Sequence, residues 1–182
     1  MAAGNIDEFA SSLLEEAKRF LEKATGGADA SGAAAYLHAA LMLGFCALEA
    51  HVNGIADDFA RVRSDLSLAD KGILLEKELR LEHGEFRLSG LRMYRLEDRI
   101  LFLHQKFGRA PLDRTAPAWG ELLSAMDLRN QLTHPRRVPT ITAGQVERAL
   151  RAIIDVIDAL FREIYNRPLP AAGHGLQSKL VF

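Results

Sequence analysis

Arg129 and His134 are the pair in this chain whose types and spacing best suit chemistry. A guanidinium can stabilise charge on a pentavalent phosphate, and an imidazole can move the proton of a ribose 2′-hydroxyl; metal-free RNA cleavage needs both. On an unbroken helix, residues at this separation point about 140° apart. A helix break, or a second subunit, must therefore bring them to one phosphate. Pro135 is such a break signal, since proline disfavours the helical conformation of the residue before it and sets His134 at or just past a helix end. Arg136 and Arg137 follow directly, and Arg148 and Arg151 sit on the next helical stretch, so the four form a candidate phosphate-binding surface. The plainer alternative for the pair is an Arg matched to an acidic neighbour and a His capping helix carbonyls.

The elements that must position these residues read as helices. Asn5 with Glu8 is a capping box for a first helix with Ile6, Phe9, Leu13, Ala17, Phe20 and Leu21 on one stripe, ended by Gly26 and Gly27. From Ser31 to Val62 a helix is apolar on most sides, as expected of a hub enclosed by neighbours. Its run from Ala33 to Leu48 falls short of the roughly 20 residues a membrane span needs, so a buried core helix is expected and no membrane partner. Leu66 to Leu81 reads as a shorter helix. Alternation in Glu85–Leu88 and Leu91–Tyr94 around Ser89-Gly90 suggests a small β-hairpin. Leu96, Ile100, Leu103 and Phe107 mark another helix, followed by a connector with Pro111 and Pro117. The next helix, with Trp119, Leu122, Leu123 and Met126 on one face, carries the Arg129–His134 segment. Thr142 and Gln145 cap a last helix that aligns Val146, Leu150, Ile153, Ile157, Leu160 and Ile164. The expectation is an all-α bundle of about five to six helices with a hairpin insert, one domain over 1–166, and a loose tail from 167 to 182.

An Arg with a His five positions later is common by chance, but the Asn directly after the Arg makes the pattern selective. Arg129-Asn130-Gln131-Leu132-Thr133-His134 resembles the R-N-x-x-x-H motif of HEPN domains, and it stands before the final long helix as in that family. The resemblance extends over about Ser31 to Tyr165. It implies a helical bundle, often a homodimer that joins two motifs in one cleft, and in many members a metal-independent endoribonuclease of toxin, defence or RNA-processing systems; other members are catalytically silent. With the activity carried over, His134 is the general base that leaves a 2′,3′-cyclic phosphate, Arg129 stabilises the phosphorane, and Asn130 orients the pair. The family also implies a polar residue facing the motif from the earlier core helix, here Glu49 or Asn53, with Asn53 favoured. Partners implied are RNA, a second copy of the chain, and an antitoxin or nucleotidyltransferase. A non-catalytic module binding RNA, nucleotide or protein is the alternative.

Composition narrows the remaining classes. A formal net charge of −1 gives no global attraction to polyanions, so RNA would have to be held by a local basic patch. The lone Cys46 excludes an internal disulfide framework, fits a reducing compartment, and reads as a buried small hydrophobe. The basic and apolar parts of a secretory signal are missing at the N-terminus, and the cytoplasm is the expected location. His38 and His51 read as satisfied core or boundary histidines. No histidine follows an acidic residue by three positions, and neither a glycine-rich phosphate loop nor a Gly-x-Ser-x-Gly elbow occurs, so neither metal nor cofactor is expected.

Overall fold

A computed structural model describes residues 6–27 and 29–182 of the chain. The expected Asn5 cap lies outside these residues. Among them are six α-helices and one two-stranded antiparallel sheet: α1 (Ile6–Thr25), α2 (Ala30–Val62), α3 (Leu68–Leu74), β1 (Lys77–Glu82), β2 (Glu85–Leu91), α4 (Leu96–Phe107), α5 (Pro117–Thr133) and α6 (Ala143–Tyr165). The bundle with a small hairpin is thus the observed fold.

Helix α2 starts where the Asp29 carboxylate accepts from the Gly32 N–H at 2.6 Å, and it packs against α1, α3, α4, α5 and α6. Among the described helices it alone is long and apolar enough to cross a membrane; its inward face, including Leu41, Phe45, Leu48, Val52 and Ile55, is buried against its neighbours. Gly44 permits a close approach of α2 to α6, because a Cβ there would run into the Leu150 side chain. On α6 the capping box of Thr142 and Gln145 is present as expected, and Val146, Leu150, Ile153, Ile157 and Leu160 are all fully buried. Each such side chain contributes roughly 1.5–3 kcal/mol by leaving water. On α1 the buried stripe is Ala10, Leu14, Ala17 and Leu21, whereas Phe9, expected inside, is 61% exposed.

Two local expectations are corrected. Helix α3 ends at Leu74, and residues 77–82 are a strand rather than more helix. The hairpin turns at His83-Gly84, where both residues have positive φ (51° and 85°), as a type I′ connection requires. Ser89-Gly90, expected as the turn, lies within β2; Gly90 (φ 69°) forms a bulge opposite Lys77 and Glu78. The insert is tied to the bundle by Arg99, only 5% exposed, which donates to Asn53 Oδ1 (2.8 Å) and to the Leu74 carbonyl (3.3 Å) and pairs with Glu76 (3.2 Å).

Residues 167–182 are not a loose tail. Leu169 and Ala171 are buried, and Lys18 of α1, with no exposed surface, donates to both Glu15 (3.0 Å) and the Ala171 carbonyl (3.2 Å). Glu15 also accepts from the Lys179 N–H at 2.6 Å, and Phe182 packs edge-on against Phe20. An ammonium buried on α1 needs acceptors, and this segment supplies one of them.

His51 is a core residue, 1% exposed, but an unsatisfied one: neither ring nitrogen has a partner among the described residues, and the ring stands edge-on to Phe161. Burial lowers its pKa from the ordinary 6.5, with Asp7 pulling the other way. The unfolded chain therefore takes up a proton that the folded chain refuses. The contribution of His51 to stability is complete above its ordinary pKa and is lost as pH falls, at up to about 1.4 kcal/mol per pH unit. Melting temperature is expected to fall from about pH 7 to about pH 5, less steeply in His51→Leu. An equally steep fall in that variant would refute the assignment; His104, also depressed by burial, accounts for residual slope.

Candidate functional site

Helix α5 carries the motif and enters with Pro117 at its first position, where a missing N–H costs nothing. Trp119, Leu122, Ala125 and Leu128 bury its inner face against the bundle. The helix runs unbroken through Thr133, and His134 caps it (φ −130°, ψ 59°) with its N–H still donating to the Asn130 carbonyl at 2.9 Å. The proline break thus comes after His134, too late to swing its side chain round to Arg129.

The two motif residues accordingly have different surroundings. Arg129 turns toward α2, its guanidinium 5.1 Å from the centre of the Phe45 ring and 3.7 Å from the Glu49 carboxylate. Its Nε is buried with no acceptor among the described residues. No hydrogen bond completes the pair with Glu49, whose side chain is 46% exposed, so the attraction is weak and the guanidinium is not locked. His134 is exposed and lines a cleft of about 780 Å³ with Asp127, Asn130, Gln131, Arg136, Arg137 and Pro139. Among the described residues, neither Arg136 nor Arg137 makes an ion pair, so two free cations outnumber the one carboxylate of the cleft.

Helical spacing gathers this wall. Asp127, Asn130, Gln131 and His134 recur at three- and four-residue intervals and share a face of α5, while Pro135 turns the chain so that Arg136 and Arg137 come beside it. Asp127 and Gln131 were missed in the sequence, though this spacing identifies them; Phe45 was missed too, and its position one turn before Glu49 on α2 is the signal.

The remaining expected residues divide. Of the two candidates on α2, Glu49 meets Arg129, whereas Asn53 is engaged by Arg99 and so helps hold the insert. Arg148 pairs with Glu121 at 3.6 Å in a neighbouring cleft of about 200 Å³ that shares Gln131 with the first. Arg151 is exposed on α6 one turn from Asp155 and lines neither cleft. The basic surface is therefore Arg136 and Arg137 at the centre and Arg148 at its edge. Cys46 is exposed rather than buried; its thiol pKa is pushed up by partial desolvation and by Glu49, with Arg129 opposing. Among the described residues no three His, Cys, Asp or Glu side chains cluster to hold a metal ion. The chain matches no protein-family model, no curated protein and no solved structure.

Proposed function

We propose that the protein is a metal-independent endoribonuclease of the HEPN type. The observation that supports this best is the cleft beside the end of α5, where the exposed His134 imidazole, Asn130 and the guanidiniums of Arg136 and Arg137, unpaired among the described residues, face one volume large enough for a nucleotide. In the mechanism proposed, His134 takes the proton of the 2′-hydroxyl, the resulting oxygen attacks the adjacent phosphate, and the 5′-oxygen leaves. The product end is a 2′,3′-cyclic phosphate. Arg129 stabilises the charge on the phosphorane.

Because Arg129 and His134 diverge on one helix, the proposal includes a homodimer in which the Arg129 of one copy serves the His134 of the other. An antitoxin or nucleotidyltransferase partner and a cytoplasmic location belong to the same proposal. The divergence equally favours a second reading, a non-catalytic module that holds RNA on Arg136 and Arg137 without cutting it.

Incubation of the purified protein with mixed RNA in EDTA separates the two. Cleavage leaving cyclic phosphate ends is expected. RNA bound but intact, across substrates of varied sequence and structure, would replace the nuclease with the binding module.

A further inference from the structure

The hairpin of β1 and β2 has one apolar and one charged face, because successive strand residues point to opposite sides. Leu79 stands opposite Leu88, and Leu81 opposite Phe86, so these four share a face. On the other face the charges are matched on the spot. Arg80 pairs with Glu78 (2.6 Å), Arg87 pairs with Glu85 (3.0 Å), and Glu82 accepts from the Ser89 hydroxyl (2.9 Å). The charged face is thus complete in water, and the apolar face is not.

At its base the apolar face is covered by α3, where a Cβ on Gly72 would meet Leu88 at 3.4 Å. Toward the turn it is open: Leu81 is 64% and Phe86 61% exposed, and Leu79 is exposed beside them. Leu68 and Leu75, four residues before Gly72 and three after it, are exposed as well and extend the apolar surface along α3. These five side chains leave on the order of 500 Å² in water, toward the top of the roughly 300–600 Å² of a monomer's largest patch, and a polar-rimmed patch of that size marks a docking surface. A two-stranded hairpin is also only marginally stable by itself, and a second layer on this face would support it.

Charge and area choose the occupant. Between residues 66 and 94 five Lys and Arg side chains cancel five Asp and Glu, so the segment draws neither a polyanion nor an anionic lipid surface. A standard interface buries about 800 Å² on each partner, and in homodimers about 65% of it is apolar, a share that this face supplies. The charges left over are polar along the hairpin. Lys71 and Lys77, at its base, make no ion pair among the described residues, whereas Glu82 and Glu85 flank its turn. Two copies stacked head to tail about a two-fold axis bring each cationic base to the acidic turn of the other.

We propose that the apolar face of the hairpin, continued by Leu68 and Leu75 of α3, is the surface on which a second copy of this chain docks, hairpin against hairpin. Oligomeric state is measured without RNA, so this interface and the ribonuclease reading can fail separately.

Analytical ultracentrifugation of the full chain is expected to show a dimer with a dissociation constant at or below about 50 µM. Leu81→Glu and Phe86→Glu, each at an exposed position, are expected to raise that constant at least about tenfold. Phe9→Glu, equally exposed but on α1, is expected to leave it unchanged. A chain that stays monomeric up to about 200 µM would overturn the proposal and leave the face to a different protein. A dimer indifferent to both hairpin variants, or one broken by Phe9→Glu instead, would overturn it by placing the contact on another surface. Circular dichroism checks that the variants fold, and should Phe86→Glu fail to do so, Leu81→Glu decides.

Discussion

Replacing His134 by alanine is expected to cut the rate of RNA cleavage by about 10²–10⁴-fold, the usual contribution of a positioned general base, while leaving the melting temperature almost unchanged. The second half of this expectation follows from burial. The imidazole is exposed at a helix end and its ring makes no hydrogen bond among the described residues, so its loss should change stability by no more than about 0.5 kcal/mol. Cleavage of labelled RNA in EDTA, beside a thermal melt, measures both. A His134→Ala protein that cuts at the wild-type rate would remove the imidazole from the mechanism. The homodimer adds a sharper form of the experiment: mixing inactive Arg129→Ala and His134→Ala chains should restore part of the activity, because one composite site per mixed dimer keeps both groups. Failure to complement, in a mixture shown to exchange subunits, would argue against the shared site.

The largest expected effect on stability belongs to Arg99. Its guanidinium is almost fully buried and joins α2 through Asn53, the insert through Glu76 and the α3 end through the Leu74 carbonyl. Arg99→Ala removes all three contacts and leaves Glu76, whose side chain is only 17% exposed, without its cation. The expected loss is about 3–5 kcal/mol, because stranding one member of a buried pair costs much more than the pair contributes. Arg99→Lys should not restore it, since one ammonium cannot reproduce the planar fork that spans several acceptors. Urea denaturation measures the loss, and hydrogen exchange should show residues 67–94 opening first. A destabilisation below about 1 kcal/mol would mean that the insert is held by other contacts. Asn53→Ala should follow Arg99→Ala at smaller size and affect cleavage only through the fraction folded, which distinguishes a scaffold residue from one that touches RNA.

The sequence alone determined the helices whose signals are local. The capping box of α6 and its apolar face, the span of α2 from about Ser31 to Val62, the stretch of α4 from Leu96 to Phe107 and the halt of α5 at His134-Pro135 all follow from neighbours within one or two turns, and the structure has them at or within a residue or two of the expected places. Of the cleft wall, Asn130 and His134 were read from the motif, while Asp127 and Gln131 were missed although helical periodicity places them on the same face. Where two local patterns competed, the reading failed. Alternation around Ser89-Gly90 and around His83-Gly84 describes two hairpins of different register, and the anchoring of Leu88 against Gly72, together with the cross-strand pairing of Leu81 with Phe86, selects the second.

Only the tertiary structure decided contacts between residues far apart in the chain. Periodicity cannot tell that Glu49 faces Arg129 while Asn53, one turn later, is claimed by Arg99, because that choice depends on how α4 and α5 cross α2. It cannot show that Cys46 lies on the open side of its helix, nor that Lys18 is buried beneath residues 169–179. Polar atoms left unmatched inside among the described residues, the His51 ring nitrogens and the Trp119 indole, are legible only after folding, because every such group is satisfied by water in the extended chain.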